Sequence, residues 1–302
     1  MALPKTPIKV ALDWTPNTIH SGLYLAKEGG IYDKQGLDVQ LLPPDAEYTK
    51  TPAKRLEDGD VDLAICPSES CIAYAHSGKM KLQAIYAILQ RDASAIASTN
   101  VSKISQLGEG KVYGSYNARY EDHIVRAMVE KDGGNAGGMK IEREQSKLGM
   151  FEAVKRGKMD ATWIFLPWEG VEAELNNVKL HTFKPEDYSV PYGYSPVIAV
   201  NAASTRLTRD DLWNFVAATI DGYNHAIYNV DEAIQVLGKY CVPQRSDEFL
   251  RRSQKAINEY YSDGSTLGRM SATKWRIWVE WLRSRGLLEG AKIDAEQLFK
   301  NP

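Results

Sequence analysis

Cysteine is scarce in this 302-residue chain, with only Cys66, Cys71 and Cys241. An odd count without metal-ligand spacing excludes a disulfide framework and a zinc site of the usual kind. It points to a reducing, cytoplasmic compartment. Charge of one sign is missing too: 37 Lys and Arg against 39 Asp and Glu leave a formal net charge of -2. Without a basic block there is no electrostatic footprint for nucleic acid. Long apolar runs are absent as well; the longest, such as SPVIAV, are far too short to span a bilayer, so no membrane insertion is expected. The opening stretch MALPKTPIKVALDW enters a strand after about seven residues, which leaves no room for a charged and then apolar export signal. A secreted chain trimmed of its signal has the same appearance.

What is present is an ordinary globular composition, 43% hydrophobic and 25% charged, arranged as short β-branched runs alternating with segments of 3.6-residue period. That alternation predicts an α/β protein with mainly parallel strands. Strands are expected at Ile8–Trp14, Asp38–Leu42 and Val61–Ile65. Helices fall between them, the first with Ile19, Gly22, Leu23 and Ala26 on one face and Asn17 or Thr18 as its N-cap. A helix over Glu69–His76 and strands in KLQAIYAILQ and ASAIAST follow.

The pattern then restarts. Strands are expected at Lys111–Gly114, Met139–Glu142, Asp160–Phe165 and Val178–Phe183, with helices at Tyr120–Lys131 and around Gly149–Arg156. After an apolar strand at Ser195–Asn201 the chain turns helical to its end. Leu212, Phe215, Val216, Ile220, Tyr223 and Ile227 mark one amphipathic helix, and Ile277, Trp278, Trp281 and Leu282 a later one. Two similar halves imply two lobes, residues 1–94 with 199–302 and residues 95–198, hinged where the chain crosses on strands near 91–98 and 195–201.

Ligands of open α/β sheets bind beyond the carboxyl ends of strands, where helix N-termini supply donors. In DWTPNTIH, after the first strand, Trp14 can stack on a flat ligand while Asn17 and His20 offer hydrogen bonds. Core packing for Trp14 and a structural role for His20 are the plain alternatives. In CPSES, after the third strand, Ser68 is expected to cap the next helix and to present its hydroxyl beside Glu69 and Ser70. An exposed helix-start carboxylate explains Glu69 more simply than a general base does.

In GSYNARY, Tyr116 and Asn117 stand in a small-polar loop that also carries Ser115 and Arg119 but lacks the glycine spacing of a phosphate cradle. In WIFLPWE, Trp163 and Trp168 are expected as two exposed aromatics beside Glu169, suited to a flat, amine-bearing ligand, unless Trp163 packs in the core. In VPYGYSP, Tyr192 and Tyr194 lie on one side of an extended segment, so both are expected to face the interlobe cleft, with packing as the alternative. The GYS at 193–195 lacks the spacing of a serine-hydrolase elbow.

The run DWTPNTIHSGLYLAKEGGIYDKQGLDVQLLPP followed by LEDGDVDLAICPSES resembles the fungal thiamine-pyrimidine (hydroxymethylpyrimidine phosphate) synthases and the related bacterial substrate-binding proteins for thiamine precursors. The likeness is strongest over residues 8 to 90 and continues more loosely to about 201. It implies a two-lobed type II periplasmic-binding-protein fold with a hinged interlobe cleft. It also implies that the synthases hold pyridoxal phosphate on a Lys, with a His four residues later, after the third strand. Those positions here are Cys66 and Ser70, and a thiol or hydroxyl cannot form the imine that an aldehyde coenzyme needs.

The iron-associated Cys cluster of the synthases corresponds to Val190–Tyr194, which has no Cys. No cofactor, metal or catalytic residue is therefore expected. The expected function is capture of a flat polar or pyrimidine-like small molecule; the alternative is an enzyme of thiamine-pyrimidine synthesis with a rearranged site. Synthases of this type can pair, so the resemblance leaves a homodimer open.

Overall fold

The computed structural model describes residues 4–143, 149–264 and 267–301. Among the described residues, ten strands and seven α-helices follow one another in the first two-thirds of the chain, and four further α-helices dominate the last third. In chain order they run β1 (Thr6–Ala11), α1 (Ser21–Glu28), α2 (Ile31–Lys34), β2 (Leu37–Leu42), α3 (Pro52–Glu57), β3 (Leu63–Cys66), α4 (Ser68–Ser77), β4 (Leu82–Ala87), β5 (Ser94–Ser98) and β6 (Val112–Gly114). Next come α5 (Glu121–Lys131), β7 (Lys140–Glu142), α6 (Met150–Lys155), β8 (Ala161–Phe165), α7 (Val171–Leu175), β9 (His181–Phe183) and β10 (Val197–Asn201). The chain closes with α8 (Arg209–Tyr228), α9 (Val230–Gly238), α10 (Asp247–Tyr261) and α11 (Ala272–Ser284).

Two five-stranded sheets result, with orders β2-β1-β3-β10-β4 and β7-β6-β8-β5-β9. The first unit comprises Met1–Asp92, Gly193–Val279 and Leu288–Pro302, and the second comprises Ala93–Tyr192 and Glu280–Leu287. The chain thus passes from one unit to the other at 92/93 and 192/193, and the end of α11 groups with the second unit rather than the first.

Each sheet repeats one design, which accounts for the restart visible in the pattern. Four strands run parallel and one runs against them: β10 is antiparallel to β3 and β4, and β5 is antiparallel to β8 and β9. Parallel strands buried on both faces need continuous apolar sequence, and LAIC in β3 is buried throughout; so is SAIAS in the antiparallel but central β5. β2 lies at a sheet edge and alternates instead, with Leu37, Val39 and Leu41 buried between exposed Asp38 and Gln40.

Helix packing in the first unit depends on two glycines. Gly22 of α1 and Gly222 of α8 meet where the helices cross. A Cβ on Gly222 would lie 2.1 Å from the Gly22 carbonyl oxygen, and one on Gly22 would lie 2.4 Å from the Tyr223 ring. α8 begins with a reciprocal cap, the Thr208 hydroxyl accepting from the Asp211 N–H and the Asp211 carboxylate accepting from the Thr208 N–H. Its buried face is Phe215, Ala218, Thr219, Gly222, Tyr223 and Ala226; Leu212, Ile220 and Ile227 are only half-buried, so the stripe is rotated toward small residues. In α11, Trp278 is buried but Ile277 is 46% exposed.

Several expected boundaries shift. β1 ends at Ala11, which leaves Leu12–Asn17 as a turn, and the strand expected at Val178–Phe183 is confined to His181–Phe183. No helix among the described residues is long and apolar enough to cross a membrane.

Candidate functional site

In the first unit β2, β1 and β3 are parallel, so the segments that leave their carboxyl ends emerge at one edge of the sheet. These are residues 43–51, 12–17 and 67–70. Because β10 is antiparallel, its start reaches the same edge: the Ser68 N–H donates to the Tyr194 carbonyl at 2.9 Å.

The segment after β1 is fixed from within. Asn17 is the N-cap of a 3₁₀ turn, Thr18–His20, that leads into α1. Its Oδ1 accepts from the Ile19 N–H and its Nδ2 donates to the Thr15 carbonyl. His20 closes the turn: Nδ1 accepts from the Asn17 N–H at 3.3 Å and Nε2 lies 2.8 Å from Asp13 Oδ1. The first contact assigns the proton to Nε2. His20 is fully buried and both ring nitrogens are engaged, so it shapes the turn and offers no nitrogen to a ligand.

From outside, the Tyr261 hydroxyl donates to the Thr18 carbonyl, the Tyr223 hydroxyl to the Ile19 carbonyl at 2.7 Å, and Thr18 and Ser253 share a hydrogen bond. α8 and α10 thereby hold the turn. Trp14 remains half-buried on this turn, its ring 5.7 Å from that of Tyr48.

After β3 the cap differs from expectation. Pro67 is the N-cap of α4 and makes no side-chain cap, while Ser68 is the first helical residue. A side chain already inside the helix cannot reach forward to the N–H groups that an N-cap serves. Ser68 Oγ is buried without a hydrogen-bond partner among the described residues. Glu69 is 3% exposed, so the expectation of an exposed helix-start carboxylate is also corrected. Ser70 is half-buried. Cys66 and Cys71 form a buried pair, and the hydrogen bond that the Cys71 thiol gives Cys66, followed by burial, pushes the Cys71 thiol well above its ordinary value.

The second unit builds its edge in the same way, from the segments after β6 and β8 and from the start of β5, where the Leu166 N–H donates to the Ala93 carbonyl. Glu121, 3% exposed, accepts from the Tyr113 hydroxyl and from the N–H groups of Tyr116 and Ala118. Burial raises its carboxyl above the ordinary value in spite of these bonds. Ser115 donates to Asp122 at 2.6 Å, and exposed Asn117, with φ of 59°, accepts from Arg143. Tyr116 is half-buried; burial, then the nearby Glu169 and Glu121, raise its hydroxyl well above the ordinary value.

β8 runs into a single π-type turn, Leu166–Gly170, an irregularity often found at functional sites. Its Glu169 accepts from the Phe165 N–H at 3.0 Å. The expectation of two exposed tryptophans fails here. Trp168 is buried at 8% exposure, folded inward by the π turn, and Trp163 lies within β8, half-buried beside Tyr192 at 5.3 Å.

The tyrosine pair separates as well. Tyr192 joins Trp163 in the second unit, whereas Tyr194 is buried in the first, its hydroxyl accepting from the Ser271 N–H and its ring 4.2 Å from the Lys274 ammonium. Gly193 between them allows the turn: a Cβ there would lie 2.4 Å from Ser68 Oγ. Two residues at the first-unit edge, Asp13 and Tyr48, escaped the sequence reading. Asp13 opens the DWTPNTIH stretch but is given no role there, Tyr48 belongs to no motif, and only the β1–β2 pairing brings the 43–51 segment beside the first turn.

This topology, with ligand-type turns gathered at the strand ends of each sheet, defines the periplasmic-binding-protein fold, as solved structures bear out. The alkanesulfonate-binding protein SsuA of Xanthomonas axonopodis pv. citri, bound to MOPS, matches with a TM-score of 0.75 over 100% of both chains at 12% identity. Within that fold the chain belongs to the NMT1/THI5-like family, which matches residues 17–233. Among curated relatives, the formylaminopyrimidine-binding protein of Halalkalibacterium halodurans is 24% identical over 97% of this chain and 89% of its own length. A putative thiamine biosynthesis protein of Haemophilus influenzae is 21% identical over 95% and 90%.

Proposed function

We propose that this chain is a small-molecule-binding protein whose ligand is a flat, polar pyrimidine of the thiamine-precursor type, and that it does not carry out the synthase reaction. One observation carries the second half of that reading. The position that the synthase resemblance gives to the coenzyme lysine is Cys66, 2% exposed and hydrogen-bonded to Cys71. A buried thiol paired with another thiol supplies no amine for an imine. His20, on the turn after neighbouring β1, is spent on that turn, both ring nitrogens being engaged.

The ligand class follows from three things. Trp14 sits half-buried on the turn after β1, beside Tyr48, and an indole there is suited to stack on a planar ring. Ser68 brings a buried hydroxyl with unused hydrogen-bonding capacity to the same edge. A relative that matches this chain almost end to end is named for a formylaminopyrimidine. In the second unit, Tyr116, Asn117, Trp163 and Tyr192 are the residues we assign to ligand contact.

Treating the purified chain with pyridoxal phosphate and then borohydride separates binding from synthesis. No imine absorbance and no reduced lysine adduct are expected. A stoichiometric adduct mapped to one lysine would restore the enzyme reading.

A further inference from the structure

Tyr48 is one of four non-glycine residues with positive φ among the described residues, and the only aromatic among them, at 52°. For a bulky side chain this left-handed conformation is unfavourable, and such strain persists only where surroundings over-determine it. The surroundings here are specific. Asp45 folds the 43–51 segment into a tight turn: Oδ1 accepts from the N–H groups of Glu47 and Thr49, and Oδ2 from the Thr49 hydroxyl at 2.6 Å. The Tyr48 N–H donates back to the Asp45 carbonyl. The stem is pinned by Arg55, which donates to the carbonyls of Leu42 and Pro43.

What the strained backbone achieves is to send the Tyr48 side chain back over the sheet edge. Its hydroxyl donates to the Asp13 carbonyl at 2.6 Å, and its ring meets Trp14 at 47°. Burial, and then the neighbouring Asp13 carboxylate, raise the hydroxyl well above its ordinary value, so it remains a donor at any physiological pH.

Resting on the ligand reading above, we propose that Tyr48 is the positioning residue of the ligand turn: through the Asp13 carbonyl and the Trp14 ring it sets the angle at which Trp14 receives a planar ligand. The later half of the turn, Asn17–His20, is held by caps and by the hydroxyls of Tyr223 and Tyr261. Asp13 is tied to that network by its side chain, at His20 Nε2, while its backbone carbonyl, next to Trp14, accepts from Tyr48. Tyr48 thereby supplies the backbone anchor for the first half. A tyrosine is suited to it because one side chain gives both a donor for the carbonyl and a face for the indole.

Two variants test this. Tyr48→Phe keeps the ring and loses the hydroxyl. Tyr48→Asn accepts the left-handed backbone without strain and loses the ring. Near-ultraviolet circular dichroism of the ligand-free chain, with Trp14→Phe as the reference for the Trp14 band, reads the indole's setting directly. Both variants are expected to change that band, Tyr48→Asn more than Tyr48→Phe, with the melting midpoint held within about 2 °C in Tyr48→Phe. Affinity for a formylaminopyrimidine is expected to fall about three- to tenfold in Tyr48→Phe, the usual worth of one hydrogen bond. An unchanged Trp14 band in both variants overturns the proposal. A changed band in a chain that binds no pyrimidine supports the positioning role and rejects the ligand reading instead, so the two failures are told apart.

Discussion

Gly222→Ala is expected to lower stability by about 3 kcal/mol and the melting midpoint by roughly 5–10 °C. The sign is informative because helix propensity alone argues the other way: alanine inside a helix is favoured over glycine by about 1 kcal/mol. Gly222 lies in the third quarter of the 20-residue α8, far from either cap, where that gain should be realised. Against it stands the α1 backbone. The added methyl would lie 2.1 Å from the Gly22 carbonyl oxygen and 2.8 Å from the Ala26 methyl. A carbonyl in a helix ladder cannot swing aside, so the helices must part.

The consequence reaches the ligand turn, because α1 begins at Ser21, directly after it, and Tyr223 on α8 donates to the Ile19 carbonyl. Asp221→Ala, one residue away on the exposed face, provides the control and should change stability by less than about 0.5 kcal/mol. Chemical or thermal denaturation measures both. A Gly222→Ala chain as stable as the parent would mean that α1 and α8 do not cross as closely as described.

Trp14→Ala is expected to weaken binding of the pyrimidine ligand by about 1–3 kcal/mol, a 5- to 150-fold loss, while leaving the fold intact. The separation of affinity from stability comes from where the indole sits. Trp14 is half-buried on a turn that caps, histidine and tyrosine hydroxyls already hold, so its removal takes away contact area without opening the core. Trp278 is the contrast: fully buried in α11, its truncation to Ala should cost about 3–5 kcal/mol of stability whatever the ligand does. Isothermal titration of the Trp14→Ala chain, with its melting curve, reads both quantities. Unchanged affinity with an unchanged melting curve would remove Trp14 from the site.

Much of the fold could be read from residue patterns because those patterns are local. The β-α-β-α-β start, the restart near Lys111 and the α1 face of Ile19, Gly22, Leu23 and Ala26 all express the 2.0 and 3.6 periods directly. Strand direction does not. VIAVN in β10 and SAIAS in β5 are buried runs that look alike whichever way they point, so the single antiparallel strand in each sheet had no sequence signature.

The site was legible where a side chain acts within its own turn and illegible where it acts across the chain. The cap is narrowed in the sequence to Asn17 or Thr18, and the structure takes Asn17, because N-capping is a matter of two or three residues. Tyr48 reaches Asp13 over 35 positions, and no motif announces such a contact. Tyr192 and Tyr194 share one side of an extended strand on paper, but the chain changes units between 192 and 193, and their rings settle in different surroundings. Trp168 misled for a similar reason: exposure was inferred from its place after a strand, and the π turn folds it inward.

The central proposal is that the strand-edge residues of this NMT1/THI5-like chain capture a thiamine-type pyrimidine. Calorimetric titration of the purified chain with a formylaminopyrimidine, alongside pyridoxal phosphate and an alkanesulfonate, tests it most directly. Saturable one-to-one binding of the pyrimidine in the micromolar range or tighter, with no comparable heat from the other two, is the predicted result. Silence toward the pyrimidine together with tight binding of either competitor would contradict it.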